Sequence, residues 1–209
     1  EEAIRRKFIS TPNINSIIDT SGSNKLDICC QIVQKYNEEM NNTIVYFKTN
    51  KECEGFYQFC LDNNFSAYWL KEDKEMDEVL ERYSMGEFKF LINCKKLGEG
   101  IDIKNCTDVL LARNFNSKGE KEQYIGRSIR PDSVCNVWEL INPIHNNVLA
   151  KDIFSVVKKH RLIFKQHGIW QETILEEQTD EEIYDFDYLN SIEEMENIEL
   201  NDDLEEEEI

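Results

Sequence analysis

The chain has 209 residues, 40% hydrophobic and 32% charged, enough for one domain with a sizeable core and a tail. No apolar run approaches the roughly 20 residues of a membrane-spanning helix, and residues 1–20 lack a signal peptide's apolar stretch, so an intracellular protein without membrane association is expected. The net charge of −18 is local, because residues 172–209 hold 18 acidic and no basic residues, leaving 24 of each in residues 1–171.

Residues 1–24, with Pro12, Gly22 and several Asn and Ser, read as an incoming linker. From there strands and helices alternate. Leu26, Cys29, Cys30, Val33, Tyr36 and Met40 recur at helical spacing. The run Thr43–Phe47 is a short buried strand, and Cys53, Phe56, Tyr57, Cys60 and Leu61 mark a second helix. A strand over Ser66–Leu70 precedes a helix carrying Met76, Val79, Leu80 and Tyr83, closed by Gly86. Strands are expected at Phe88–Ile92, Asp108–Ala112 and Val134–Ile141, with a helix over Glu120–Arg130 stopped by Pro131. A last helix is expected over Val148–Phe164.

This alternation predicts an α/β fold, a mostly parallel sheet with helices on both faces. Ligands of such sheets bind beyond the carboxyl ends of the strands, so the loops after Phe47, Asn93 and Ala112 are the functional candidates. Residues 25–171 then form the domain. Residues 172–209 form an acidic tail, read as a solvated segment. Its Tyr188, Leu189, Ile192, Met195 and Ile198 leave open an amphipathic stripe for a protein partner or for the domain's own basic groove. The seven cysteines form no C-x-x-C pair, so zinc-ligand spacing is absent and reduced thiols are expected.

Two constellations carry chemistry. In the segment 123–131, Gln123, Arg127 and Arg130 lie at i, i+4 and i+7 of a helix and share one face. Two guanidiniums on one face, with Gly126 allowing close approach, make a planar multidonor clamp suited to phosphate oxygens. The alternative for an isolated pair of this kind is a surface helix with ion-paired arginines. The second constellation, Gly98, Gly100 and Asp102, follows the strand 88–92. Its glycines let backbone amides approach a ligand while Asp102 accepts from a hydroxyl.

In this order, Thr43–Thr49, Phe90–Ile103 and Gln123–Arg130 resemble motifs IV, V and VI of superfamily 2 helicases. The Gln-x-x-Gly-Arg-x-x-Arg form is similar to that of DNA repair and replication translocases, and it lacks the His-Arg opening of DEAD-box RNA helicases. The resemblance covers about residues 25–145 and implies the second, C-terminal RecA-like domain of a two-domain motor. No G-x-x-x-x-G-K-[ST] occurs, and Asp77-Glu78 follows no buried strand, so the pair reads as a solvated helix face. With Glu1 in place of Met, a piece of a longer chain is expected, one that does not hydrolyse ATP by itself.

The resemblance further implies ATP and Mg²⁺ held mainly by the N-terminal RecA-like domain of the same parent chain. Arg127 and Arg130 would be arginine fingers, Gln123 their coupler, and Gly98, Gly100 and Asp102 nucleotide contacts. Lys48, Thr49 and Asn50 at the end of motif IV, and Cys94, Lys95 and Lys96 opening motif V, would grip the sugar-phosphate backbone of nucleic acid, with DNA favoured over RNA. Cys94 stands where Thr or Ser is frequent. A duplex translocase that separates no strands and a non-catalytic RecA-like scaffold are the alternatives. Twenty Asn against three Pro fit an AT-rich genome, in a cytoplasmic, nuclear or viral setting.

Overall fold

Short apolar strands can bury both faces only inside a sheet covered by helices on each side. A computed structural model of the chain describes residues 11–19, 23–94, 103–115, 117–126, 135–141, 148–154 and 156–178. The elements are β1 (Asn13–Ile18), α1 (Lys25–Tyr36), β2 (Thr43–Tyr46), α2 (Asn50–Asp62), β3 (Ala67–Trp69), α3 (Met76–Ser84) and β4 (Phe90–Asn93). There follow β5 (Asp108–Leu111), α4 (Lys118–Ile125), β6 (Asn136–Ile141), β7 (Lys159–Gln166) and β8 (Ile169–Glu177). Among the described residues they form one eight-stranded sheet in the order β3-β4-β2-β5-β6-β1-β7-β8, parallel throughout except for the β7–β8 hairpin.

Alternating side chains of the sheet build two cores. On one face Ile28, Ile32, Val33 and Tyr36 of α1 and Cys53, Phe56 and Cys60 of α2 pack on Val45, Phe90, Ile92, Leu110 and Trp138. On the other, Val79 and Tyr83 of α3 and Ile125 of α4 pack on Ile14, Ile44, Leu91, Val109 and Val137. The expected α/β sheet with helices on both faces is therefore the fold.

Local chemistry sets the helix starts. The Asn24 side chain accepts from Asp27 N at 2.9 Å and caps α1. Thr49 and Glu52 close a reciprocal capping box on α2. The Ser117 hydroxyl accepts from Glu120 N at 3.2 Å and caps α4. Asp77 and Glu78 sit in the first turn of α3, away from any buried strand end, a helix face as expected.

Three expectations need correction. Asn13–Ile18, read as linker, is a strand inside the sheet, paired with β6 on one side and β7 on the other. Its central Asn15 and Ser16 are buried yet satisfied: Asn15 Oδ1 accepts from Arg161 Nε at 2.8 Å and Ser16 Oγ donates to Glu139 at 2.8 Å. Where a helix was expected over Val148–Phe164, the described residues hold a 3-10 turn, Ala150–Asp152, followed by β7. Ile153, Val156, Val157 and Phe164 mimic helical spacing, while the strand's real period-2 signal is hidden by the buried Arg161. Residues 172–177, assigned to the acidic tail, belong to β8. A two-residue turn turns the chain back, with His167 at φ 52° and Gly168 at φ 79°, the left-handed pair that a tight hairpin requires.

Candidate functional site

The sheet order puts the carboxyl ends of β4, β2 and β5 side by side, the three positions at which functional loops were expected. Phe47 N donates to Asn93 O at 3.0 Å and Ala112 N to Tyr46 O at 2.9 Å, so pairing continues to the rim. Beyond it Lys48, Thr49 and Asn50 are exposed, and Cys94 lies next to them. The Cys94 thiol donates to Lys48 O at 3.2 Å, tying the two loops together. These four expected residues are thus brought to one place.

Their donors are not all turned outward. Thr49 N donates to Glu52 Oε2 at 2.9 Å and Thr49 Oγ1 to the same oxygen at 2.7 Å, while Thr49 Oγ1 accepts from Glu52 N at 3.3 Å. The helix cap thereby occupies both donors that a phosphate would use at Thr49. Behind Cys94, burial holds the Cys53 thiol well above its ordinary range, reinforced by Cys94 itself, so Cys53 stays protonated.

Cations gather along this rim. Lys25, at the start of α1, donates to Asn114 Oδ1 beyond β5 at 2.8 Å. Burial lowers its pKa, Glu52 opposes that shift, and the positive charges of Lys48 and Arg113 add to it. Arg113 holds α4 to the rim: Nη1 donates to Tyr124 Oη at 2.8 Å and Nη2 to Glu120 Oε1 at 2.9 Å. Its guanidinium lies 5.2 Å from the Phe115 ring centre and 5.1 Å from that of Tyr124. Gln123 is exposed on α4, which is capped at Gly126. Gly126 has ordinary helical dihedrals, and a Cβ there would meet Glu122 O at 3.2 Å, a close contact within its own turn.

Arg127, Arg130, Gly98, Gly100, Asp102, Lys95 and Lys96 lie outside the described residues, as does the one-face arrangement expected for the two arginines. Sequence reasoning passed over Arg113, Lys121 and Glu139. Lys121 is spaced i, i+4 with Ile125, inside the helix's buried stripe, and Glu139 interrupts the apolar run of β6. A lone cation in a buried stripe facing a lone acid in a buried strand is the signal that would have found the pair.

Comparison with known proteins agrees with this arrangement. A family profile described as the helicase conserved C-terminal domain matches residues 24–132, a little over half of the chain. The Saccharomyces cerevisiae protein IRC3, described as a putative ATP-dependent helicase, is 23% identical over 120 residues, covering 56% of this chain and 17% of that protein. The Candida albicans ATP-dependent RNA helicase DBP2 is 27% identical over 94 residues, covering 44% of this chain and 16% of that protein. The chain therefore matches about a sixth of the length of these curated relatives. Among solved structures, the C-terminal domain of the DEAD-box protein Dbp5 superposes with a TM-score of 0.56 at 16% identity, covering 63% of this chain and 77% of that one. The E. coli DEAD-box protein SrmB gives 0.52 at 16% identity, covering 63% and 78%. Among the described residues no helix is long and apolar enough to cross a membrane. The profile covers more than half of the chain and the parallel sheet shares its fold with the C-terminal domain of Dbp5, so the chain belongs to the helicase conserved C-terminal domain family.

Proposed function

We propose that this chain is the second motor domain of an ATP-dependent nucleic-acid helicase or translocase. It would close an ATP site carried mainly by an N-terminal RecA-like domain and grip the nucleic-acid backbone. The observation that carries this reading is the common rim: the carboxyl ends of β4, β2 and β5, which lead in sequence into the three motif segments, lie side by side. The fit to a polyphosphate rests on the donor set. Lys25 and the exposed Lys48 bring cations to this rim, while Arg113 is already bonded to Glu120 and Tyr124. As the resemblance implies, ATP and Mg²⁺ would be held mainly by the N-terminal domain.

Arg130 and Arg127 would reach across as fingers and neutralise charge developing on the γ-phosphate. Arginine suits this task because its charge persists and its fork matches two oxygens. Gln123 would couple their positions to the cleft, and Gly98, Gly100 and Asp102 would contact nucleotide. Lys48, Asn50, Lys95 and Lys96 would touch phosphates, as would Thr49 once Glu52 releases its donors. Cys94, whose thiol donates to Lys48 O, would shape the loop instead of presenting a hydroxyl. Backbone contacts carry no sequence information, so sequence specificity is not expected. The relatives include an RNA helicase, so the preference for DNA rests on the motif VI form alone.

The test is ATP turnover, with and without single-stranded DNA or RNA, by a protein carrying both motor domains. Stimulation by nucleic acid supports the reading, and turnover indifferent to both nucleic acids contradicts it. Each lost phosphate contact should flatten log K against log salt by about 0.7–0.9. Lys95 and Lys96 changed together to Ala should therefore lower the slope, and an unchanged slope removes them from the footprint.

A further inference from the structure

Helix α4 is too short and too polar to be held by an apolar face. Among its apolar side chains Ile125 alone is fully buried, with Tyr124 packed half-buried against the same core. The other buried residue is Lys121, only 4% exposed. Lys121 Nζ donates to Glu139 Oε2 and, at 2.7 Å, to Val148 O. Glu139, 1% exposed, also accepts from Ser16 Oγ at 2.8 Å and from Ala150 N at 2.8 Å. Ser16 Oγ stands 3.0 Å from His160 Nε2. One carboxylate in the middle of β6 thus joins α4, β1 and the Ala150–Asp152 turn, and through Ser16 it reaches β7.

Such a pair adds little to stability compared with a well-packed apolar pair, because both charges must be desolvated. What it adds is direction. An apolar contact fixes separation and leaves a helix free to roll on its stripe, whereas an ammonium bonded at once to a carboxylate and a carbonyl tolerates one orientation. Arg113 clamps the same helix from the rim through Glu120 and Tyr124, so α4 is held at both flanks by directional bonds. The residue that follows Gly126 is Arg127.

We propose that Lys121 and Glu139 are positioning residues: their buried pair sets the roll of α4, and with it the orientation of Gln123 and of the helix end at Gly126, which Arg127 follows in sequence. This deepens the proposed function and rests on it.

The test is the double variant K121M/E139Q, which removes both charges with little change in volume. The amide carbonyl that E139Q introduces can still accept from Ser16 or Ala150. Two readouts are taken: hydrogen exchange of the α4 amides with the melting temperature of the 209-residue chain, and kcat and KM for ATP in a protein carrying both motor domains. The expected result is a melting temperature within a few degrees of wild type and α4 amides exchanging about 10-fold faster. Turnover should fall about 10-fold or more, with KM for ATP unchanged, since misplacing a catalytic group by an ångström costs that much. Unchanged exchange on α4, or faster exchange with unaltered kcat, overturns the proposal. Should the double variant fail to fold, E139Q alone makes the same comparison with Lys121 retained. A wild-type protein with no ATPase refutes the proposed function instead, and the anchoring of α4 then stands or falls on the exchange result alone.

Discussion

Replacing Glu52 by Gln should weaken the fold while strengthening its hold on nucleic acid. Glu52 receives both donors of Thr49, at 2.9 and 2.7 Å, and sits in the first turn of α2, where a carboxylate also favours the helix dipole. Both donors share one oxygen, whose place an amide carbonyl can take, so the neutral side chain weakens both bonds by removing their charge assistance. The cost is about 1–2 kcal/mol, from a capping interaction of about 1 kcal/mol and a dipole term of about 0.3–1 kcal/mol. For a domain of this size that lowers the melting temperature by about 2–8 °C. At the rim the same change removes a negative charge beside Lys25 and loosens the hold on the Thr49 donors. One charge about 4 Å from a phosphate is worth about 1 kcal/mol in water, or about 5-fold in affinity. Thermal melts paired with single-strand binding at low salt read both effects, because the screening length is about 10 Å at 0.1 M. Tighter binding by a less stable protein is the expected outcome. Affinity that is unchanged, or that falls along with stability, would show that Thr49 and Glu52 face no phosphate.

Two further outcomes follow from buried groups. Burial lowers the pKa of His160 below its ordinary 6.5, against the pull of Glu139 and Glu176. The unfolded chain therefore binds more protons just below pH 6.5, so stability should rise with pH through that range, and His160→Gln should flatten the rise in a pH series of melts. Trp138 Nε1 donates to Asp108 Oδ1 at 3.0 Å, and burial raises the pKa of that carboxyl. Trp138→Phe should cost about 1–3 kcal/mol for the lost partner. Because protonation relieves a buried carboxylate, that cost should shrink as pH falls through the raised pKa, and a cost that does not change with pH would refute this account of Asp108.

Strands whose residues are nearly all apolar were legible in the sequence. Thr43–Phe47, Phe88–Ile92 and Asp108–Ala112 fall on β2, β4 and β5 to within two residues, because strands buried on both faces read as unbroken runs. β1 and β7 were not legible, and for one shared reason. Asn15, Ser16 and Arg161 are buried but bonded across strands to Arg161, Glu139 and Glu172, partners more than a hundred residues away in the chain for the first two. β8 escaped notice because it is an edge strand, with Ile174 and Leu175 exposed and Glu172, Glu176 and Glu177 resembling the acidic tail beside them.

The candidate site divides in the same way. Lys48, Thr49, Asn50 and Cys94 could be placed together from motif spacing and the parallel-sheet rule, and they are neighbours. That the Thr49 donors are taken by Glu52 was visible only as a capping-box pattern, whose meaning depends on α2 starting there. Lys121 looks like any surface lysine until its helix is packed against Glu139.

The most direct measurement of the central claim is ATP turnover in a protein carrying both motor domains with Arg130 changed to Ala. Loss of such a finger should lower kcat by about 10²-fold or more while leaving nucleic-acid affinity near wild type. Turnover close to wild type would contradict the assignment of Arg130 to the shared ATP site.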